Sequence, residues 1–411
     1  KLVERRYPSE EDFNSLKESY EKYSTFLNQK GFETFFAGSA GRKTCRKGDR
    51  DIDLFVLFPE ETDREDLEKK GLEVGRMLFE EFNGEYEVEY AEHPYTKGII
   101  DGNEVEVVPC IDTDPENIRT AVDRSPHHAR WVKNKLDQRQ REDVVLLKSF
   151  LEASDIYGSS LKIRGFSGYL CEILIHHYGD LKSLLENASE WRESTIIDPE
   201  DHHEGGLPND LEKKFSEDNL IVIDPVDPER NVASVLTEEN YSKFIFEAHR
   251  FREEPGIDLF QETETDLDRF KLKKELEKRG QFIVLEFKAP ERPDDVVYPQ
   301  LRKLIKRLSS VLEKQDFTVY ESGFHVSKDV KLFFEAQSNI PKMKIQRGPK
   351  PVHGREHMKE FSEKYDNVSV MEARLVAKTE RKFTDPKELV KDFLDDDAEK
   401  LHQKGVPENI A

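Results

Sequence analysis

Residues 51–58 read DIDLFVLF. Apolar side chains run unbroken from Leu54 to Phe58, so the segment reads as a strand buried on both faces. Such a strand needs a sheet around it and helices over that sheet, which places an α/β layer early in the chain. Asp51 and Asp53 stand at its mouth, on either side of Ile52. Side chains alternate along a strand, so both carboxylates point the same way. Just upstream, GSAGR forms a Gly-Ser turn, and Arg42, Lys43, Arg46 and Lys47 follow it. Paired acids facing such a turn suit a metal ion held near a phosphate. The ordinary alternative is a solvated strand end.

The flanking elements follow from spacing. Ser9, with Asp12 three residues on, starts a helix. Phe13, Leu16, Tyr20, Tyr23 and Leu27 share one helical face, and Gly31 ends it. Residues 32–37 read as a strand and 63–82 as a helix. Residues 86–91 and 104–109 read as further strands, which makes a small α/β sheet with mixed strand directions. From about residue 139 the pattern is helical. Val144, Leu147, Phe150 and Leu151 mark one apolar face, and 166–178 form a buried helix. Residues 198–219 read as an exposed acidic loop, 220–224 as a short strand and 240–252 as a helix. Between 281 and 377 the order is βαββαβ, with Pro299 opening the first helix, which is a ferredoxin-like pattern shared by RNA-binding modules. The tail from Asp385 reads as helical, acidic and exposed.

Length and composition set the bounds. A chain of 411 residues makes about two to four domains. Charged and hydrophobic residues each make up 36%, and the 26 Phe and 13 Tyr argue against global disorder. No apolar run is long enough to cross a membrane. The N-terminal KLVERRYPSEED has no signal-peptide core. Cys45, Cys110 and Cys171 are too scattered for a disulfide framework, so a reducing cytoplasm is expected. The net charge of −22 opposes nucleic-acid binding by the chain as a whole. Two segments run the other way. Residues 124–148 are basic, and 342–359 carry Lys342, Lys344, Arg347, Lys350, Arg355 and Lys359 against Glu356 alone.

A third acid can come from GNEVEVVPC, where Glu104 and Glu106 share one face. Three acids on adjacent strands suit two Mg²⁺ ions and an in-line phosphoryl displacement. An isolated EVEVV is more often a solvated outer face. Lys148 lies inside the apolar helix face VVLLKSFL, where a lysine is costly unless it meets an anion.

Taken together, GSAGR…DIDLFVLF resembles the Gly-Ser…acid-x-Asp signature of the DNA polymerase beta-like nucleotidyltransferases. The blocks YAEHPYTKG, EVEVVPC, AVDRSPHHARW, IYGSSLKIRGFSGYLCE and DPVDPERNVA, in that order, resemble the archaeal, class I tRNA nucleotidyltransferases, the CCA-adding enzymes. The resemblance implies an α+β multidomain chain. Residues 1–138 would be the polymerase-beta-like catalytic domain, 139–256 a mostly helical central domain, and 257–411 a ferredoxin-like tRNA-binding domain with a helical tail. It makes Asp51, Asp53 and Glu106 the catalytic, metal-binding acids; the family usually has Asp where Glu106 stands. Gly38, Ser39 and Arg42 become the phosphate-gripping turn. Ser125, His128, Lys148 and Tyr157 become triphosphate or sugar contacts, and Asp224 and Arg230 read the base. Lys342, Lys344, Arg347, Lys350 and Arg355 would grip the tRNA. The implied reaction adds CCA to tRNA from CTP and ATP with two Mg²⁺ ions, in the cytoplasm, with no membrane and with a homodimer left open. Two other readings stay beside it. One is a poly(A) polymerase or oligoadenylate-synthase-like enzyme. The other is a tRNA-binding protein whose catalysis has lapsed at Glu106.

Overall fold

The computed structural model describes residues 1–90, 92–261, 278–290 and 292–402. The expected strand end at 91 and the last stretch of the tail, 403–411, lie outside them. The chain divides into two compact units, Lys1–Glu264 and Thr265–Ala411.

In the first unit, helix α1 (Leu2–Arg6) leads into α2 (Glu10–Gln29). Ser9 and Asp12 close a capping box at the start of α2, with the Ser9 amide donating to Asp12 Oδ2 at 2.8 Å. Gly31 follows the helix at φ +89°. Strand β1 (Glu33–Phe36), the single turn α3 (Gly38–Gly41), β2 (Asp51–Phe58) and α4 (Arg64–Glu81) come next. Then come β3 (Glu85–Tyr90), β4 (Pro94–Ile100) and β5 (Asn103–Ile111). The sheet order is β1-β2-β5-β4-β3. Only β2 and β5 pair in parallel, which brings Asp51 opposite Glu104 and Asp53 opposite Glu106. Alternation sends Ile52, Leu54, Val56 and Phe58 into the main core under α2 and α4, where they meet Leu16, Tyr23, Leu78 and Phe79. Phe55 packs on the opposite face with Ala37, Val108 and Cys110. Strand β4 was missed in the sequence, because PYTKGII has too few apolar alternations to stand out.

Helices α5 (Arg124–Lys135) and α6 (Gln138–Ala153) start the helical half. They are followed by α7 (Gly168–Tyr178), α8 (Leu181–Ala188) and, after the parallel pair β6 (Thr195–Ile197) and β7 (Leu220–Val222), by the helix Glu238–Glu253. The second half of helix α6 is buried on most of its faces, from Val144 to Leu151. Val145 joins the sheet core while Val144, Leu147, Phe150 and Leu151 join the helical core, so a single helix fastens both cores into one unit. Phe150 meets Phe260 at 5.4 Å and Phe244 edge-on at 6.3 Å. Each such ring contributes about 1.5–3 kcal/mol by leaving water. The expected exposed loop at 198–219 instead holds a short helix, Asn209–Lys214. Leu211 and Phe215 bury against Ile221 and Ile223, so its acidic composition masked an apolar anchor. All three cysteines are buried and free.

The second unit corrects the ferredoxin-like reading. Strands β8 (Gln281–Lys288), β9 (Val319–Val326) and β10 (Asp329–Ala336) form one antiparallel sheet, in the order β8-β10-β9. This is the order expected of the first three strands. The expected fourth strand does not join them. It pairs in a separate sheet, β11-β13-β12, built from Met343–Arg347, Arg374–Glu380 and Ser369–Met371. The run VSVMEARLVA is therefore a hairpin, not one strand. Glu372 (φ +48°) and Ala373 (φ +60°) turn the chain in a left-handed conformation that carries no Gly or Asn signal. The helix over the first sheet spans Asp294–Lys314, and Pro299 lies inside it instead of opening it. A proline that near the N-terminus removes only one early backbone bond. The tail is helical over Pro386–His402, but it is not wholly exposed. Leu389 and Val390 bury beside Leu308, Leu312 and Phe334. Among the described residues, no helix is long and apolar enough to cross a membrane.

Candidate active site

The site is built where β2 and β5 end beside α3. The Ala37 amide donates to the Asp53 carbonyl at 3.1 Å, which seats the turn directly on the strand. Gly38 takes φ +61°, and a Cβ there would stand 1.5 Å from Asp53 Oδ2. Only glycine permits that approach. The expected helix N-terminus after Gly-Ser is a single four-residue turn, too short to act as a macrodipole. Any anion there meets backbone amides and side chains.

The acids repel one another. Burial and the Glu106 carboxylate push Asp53 up to about 6, against the pull of Arg42. Burial, Asp49 and Glu104 raise Asp51 as well. Lys97, from the neighbouring β4, sits opposite Glu106 in register and donates to Glu106 Oε1 at 2.8 Å; its ammonium also bonds Glu104. Burial pulls Lys97 down, but these two bonds hold it above its ordinary value. Hard oxygen donors whose negative charge is only partly offset by Lys97 and Arg42 fit Mg²⁺ in chemistry. Among the described residues, however, no three acids, histidines or cysteines converge into a closed cation shell. Glu106 is the member turned aside, toward Lys97.

Behind the turn lies a buried cationic pocket. Lys148 is buried and donates its ammonium to the Thr44 carbonyl at 2.7 Å. Burial lowers its pKa, and Glu172 opposes that shift. The Arg42 Nε donates to Glu172 Oε1 at 2.9 Å, and the Thr44 hydroxyl donates to the same oxygen. The ring of Tyr157 lies beneath Lys148, 5.9 Å away, and beneath Arg46 at 5.7 Å. Tyr157 is held by a backbone bridge to Phe166. Ser39 joins through its carbonyl, which accepts from the Thr44 amide at 2.9 Å.

A second cluster forms around Asp224, which is fully buried. His128 Nε2 lies 2.9 Å and Arg230 2.6 Å from Asp224 Oδ2, while the Tyr169 hydroxyl donates to Oδ1 at 3.2 Å. Burial is the largest single influence and would raise Asp224, but the His128 bond and charge, the Val226 amide and Arg230 together hold the carboxyl at about 2. His128 stacks on Tyr169 at 3.9 Å, with its own pKa lowered by burial against the pull of Asp224. Ser125 sits in the first turn of α5, where its amide donates to the Val122 carbonyl. In the second unit, Lys342, Lys344 and Arg347 are paired with Glu380, Asp316 and Glu372. Lys350 and Arg355 have no ion-pair partner among the described residues.

Of the first-unit residues named from the sequence, the acids and the Gly-Ser turn meet at the end of β2. Arg42 and Lys148 meet around Thr44 and Glu172, with Tyr157 beside them. His128, Asp224 and Arg230 form their own cluster, and no side-chain contact among the described residues ties Ser125 to any of these. Four side chains central to this arrangement were missed: Thr44, Lys97, Tyr169 and Glu172. For Glu172 a signal existed. A lone acid inside FSGYLCEILIHHY is as costly as Lys148 in its own helix, and the same argument applies to it.

Comparison with known proteins is consistent along the chain. Residues 20–128 match the model of a nucleotidyltransferase domain. Residues 142–261 match the second domain of tRNA nucleotidyltransferase, and 279–410 match the C-terminal domain of CCA-adding enzymes. The CCA-adding enzyme of Methanocaldococcus jannaschii is 37% identical over 399 residues, covering 94% of this chain and 88% of that one. That of Archaeoglobus fulgidus is 36% identical over 399 residues, covering 96% and 88%. In fold alone, the chain is similar to the Cid1 poly(U) polymerase with Mg and 3′-dATP bound. That match has a TM-score of 0.51 at 14% identity and covers 64% of this chain and 96% of that one. Identity at this level over nearly the whole length, with the acids, the Gly-Ser turn and the cationic pocket in one place, makes the chain a member of the archaeal CCA-adding enzyme family.

Proposed function

We propose that this protein adds CCA to the 3′ end of tRNA from CTP and ATP, without a nucleic-acid template and with release of pyrophosphate. The observation that carries the reading is the parallel register of β2 and β5. It sets Asp51, Asp53 and Glu106 at one sheet end, against a Gly38 that no larger residue can replace. Asp51 and Asp53 would hold two Mg²⁺ ions, with Glu106 as the third acid. When bound, the metal lowers the pKa of the attacking hydroxyl and offsets charge on the departing phosphates. The 3′-hydroxyl oxygen would attack the α-phosphorus as the bond to the β-phosphate oxygen breaks. Glu106, on turning back from Lys97, would help to hold the metal or accept the hydroxyl proton. Arg42 and Lys148 offset the triphosphate charge, Ser39 lines the turn, and Ser125 and Tyr157 contact phosphate or sugar. Asp224 fixes Arg230 and His128 where the base is read. Of the five tRNA-binding cations named in the second unit, Lys350 and Arg355 have no ion-pair partner among the described residues and would meet tRNA phosphates. The division into catalytic, central and tRNA-binding segments at 138/139 and 256/257 belongs to the same proposal.

The test is incubation with labelled CTP or ATP and tRNAs lacking CCA, CA or A. CMP addition to the first two and AMP addition to the third is the expected result. Asp53→Ala should abolish incorporation and leave tRNA affinity intact. AMP polymerisation without CTP use would favour the poly(A) polymerase reading, and no incorporation at all would favour lapsed catalysis.

A further inference from the structure

Glu172 is fully buried in α7. Its Oε1 accepts from Arg42 Nε and from the Thr44 hydroxyl, while its Oε2 is buried with no hydrogen-bond partner. A buried carboxylate with an empty oxygen is a poor device for stability, because desolvation offsets much of the ion-pair attraction. The contacts around it have a directional logic instead. Thr44 is itself fully buried and is bonded on three sides. Its amide donates to the Ser39 carbonyl, its carbonyl accepts from Lys148 Nζ at 2.7 Å, and its hydroxyl donates to Glu172. One residue therefore links the phosphate turn, the Lys148 ammonium and α7. Glu172 engages Arg42 through its Nε at 2.9 Å. Arg42 is within electrostatic reach of Asp53 and His128 as well as Glu172.

We infer that Glu172, together with Thr44, is a positioning residue for nucleotidyl transfer. It clamps Arg42 by its Nε edge so that the outer guanidinium face, alongside the Lys148 ammonium, is aimed at the triphosphate. The inference rests on the nucleotide-adding reading above. Glu172 touches neither substrate nor metal and acts through Arg42. Because α7 also carries Tyr169, which bonds Asp224, the same helix sets the phosphate grip and the base-reading cluster in one frame.

The experiment is a double-mutant cycle of Glu172→Gln and Arg42→Ala, assayed for CMP and AMP incorporation, nucleotide KM, tRNA affinity and melting temperature. Glutamine keeps the shape but not the charge. Misaiming a phosphate-gripping group by about 1 Å is worth roughly 100-fold, so Glu172→Gln should lower kcat about 10- to 100-fold for both nucleotides, with tRNA affinity unchanged. In the Arg42→Ala background, the same change should cost less than about twofold. A merely structural Glu172 gives the same fold-loss in both backgrounds, and that result overturns the inference. So does a Glu172→Gln enzyme within about twofold of wild type. If Glu172→Gln does not fold, Thr44→Val takes its place under the same two criteria, and no loss there also overturns it. An inactive wild-type protein would sink the nucleotide-adding reading instead, which keeps the two failures distinct.

Discussion

Gly38→Ala isolates the contact on which the site depends. The missing Cβ would fall 1.5 Å from Asp53 Oδ2, and real Cβ contacts essentially never come below 3.0 Å, so the carboxylate must retreat by about 1.5 Å. A displacement of about 1 Å at a reacting group costs on the order of 100-fold in rate, so incorporation should fall at least that far. The stability cost is much smaller. An alanine held at φ +61° loses about 1–2 kcal/mol, which corresponds to a melting shift of roughly 2–8 °C in a unit of this size. The assay pairs single-turnover CMP incorporation with a thermal melt. Activity within about tenfold of wild type, with an unchanged melt, would refute the claim that Gly38 sets the position of Asp53.

Asp53 also makes stability depend on pH. Its folded-state value of about 6 lies above the ordinary aspartate value of 3.8, so the native protein binds the extra proton and stability declines as pH rises through that window. With chelator present, Asp53→Asn should melt higher than wild type near pH 7.5, by up to about 3 kcal/mol in stability, and converge with it near pH 4. A constant difference across that range would count against it. Glu106→Asp withdraws the carboxylate from Lys97, now 2.8 Å away. It and Asp51→Glu should each reduce CMP incorporation, while the double variant recovers it through a coupling of about 1 kcal/mol or more. A strong gain from Glu106→Asp alone would show the native site to be impaired. In the second unit, Lys350→Glu or Arg355→Glu should each lower the log–log salt slope of tRNA affinity by about 0.9. Lys342→Glu should lower it less, because Glu380 already lies 3.1 Å away. Equal slopes for the three variants would contradict that ranking.

What the sequence disclosed and what it hid have separate physical causes. The shared face of Asp51 and Asp53 follows from alternation alone, and the capping box at Ser9 from local chemistry; both are short-range facts. The pairing of Arg42 with Glu172 spans 130 positions, and no local pattern encodes it. Lys97 lies on a strand too polar to be noticed, so the counter-charge to Glu106 was invisible even though Glu106 itself was singled out. The ferredoxin-like expectation failed at its fourth strand. Periodicity finds strands but does not say which sheet a strand joins, and a left-handed turn at Glu372-Ala373 has no sequence flag. The basic segment at 342–359 was correct as composition. Its charge is partly offset by Asp316, Glu372 and Glu380, which lie outside that segment.

The placement of the three thiols gives the molecule a built-in reporter. Cys45, Cys110 and Cys171 all belong to the first unit, and the sequence offers none to the second. Burial pushes Cys45 and Cys171 up to about 12, so almost no thiolate is present at neutral pH and reaction with a disulfide reagent waits on opening. Two of these cysteines are chain neighbours of the residues inferred above to position Arg42, Cys45 following Thr44 and Cys171 preceding Glu172. If the proposed function holds, their labelling rate would report how often the proposed triphosphate site opens, and slowing by CTP or ATP would be the expected sign of its tightening, without a probe being introduced.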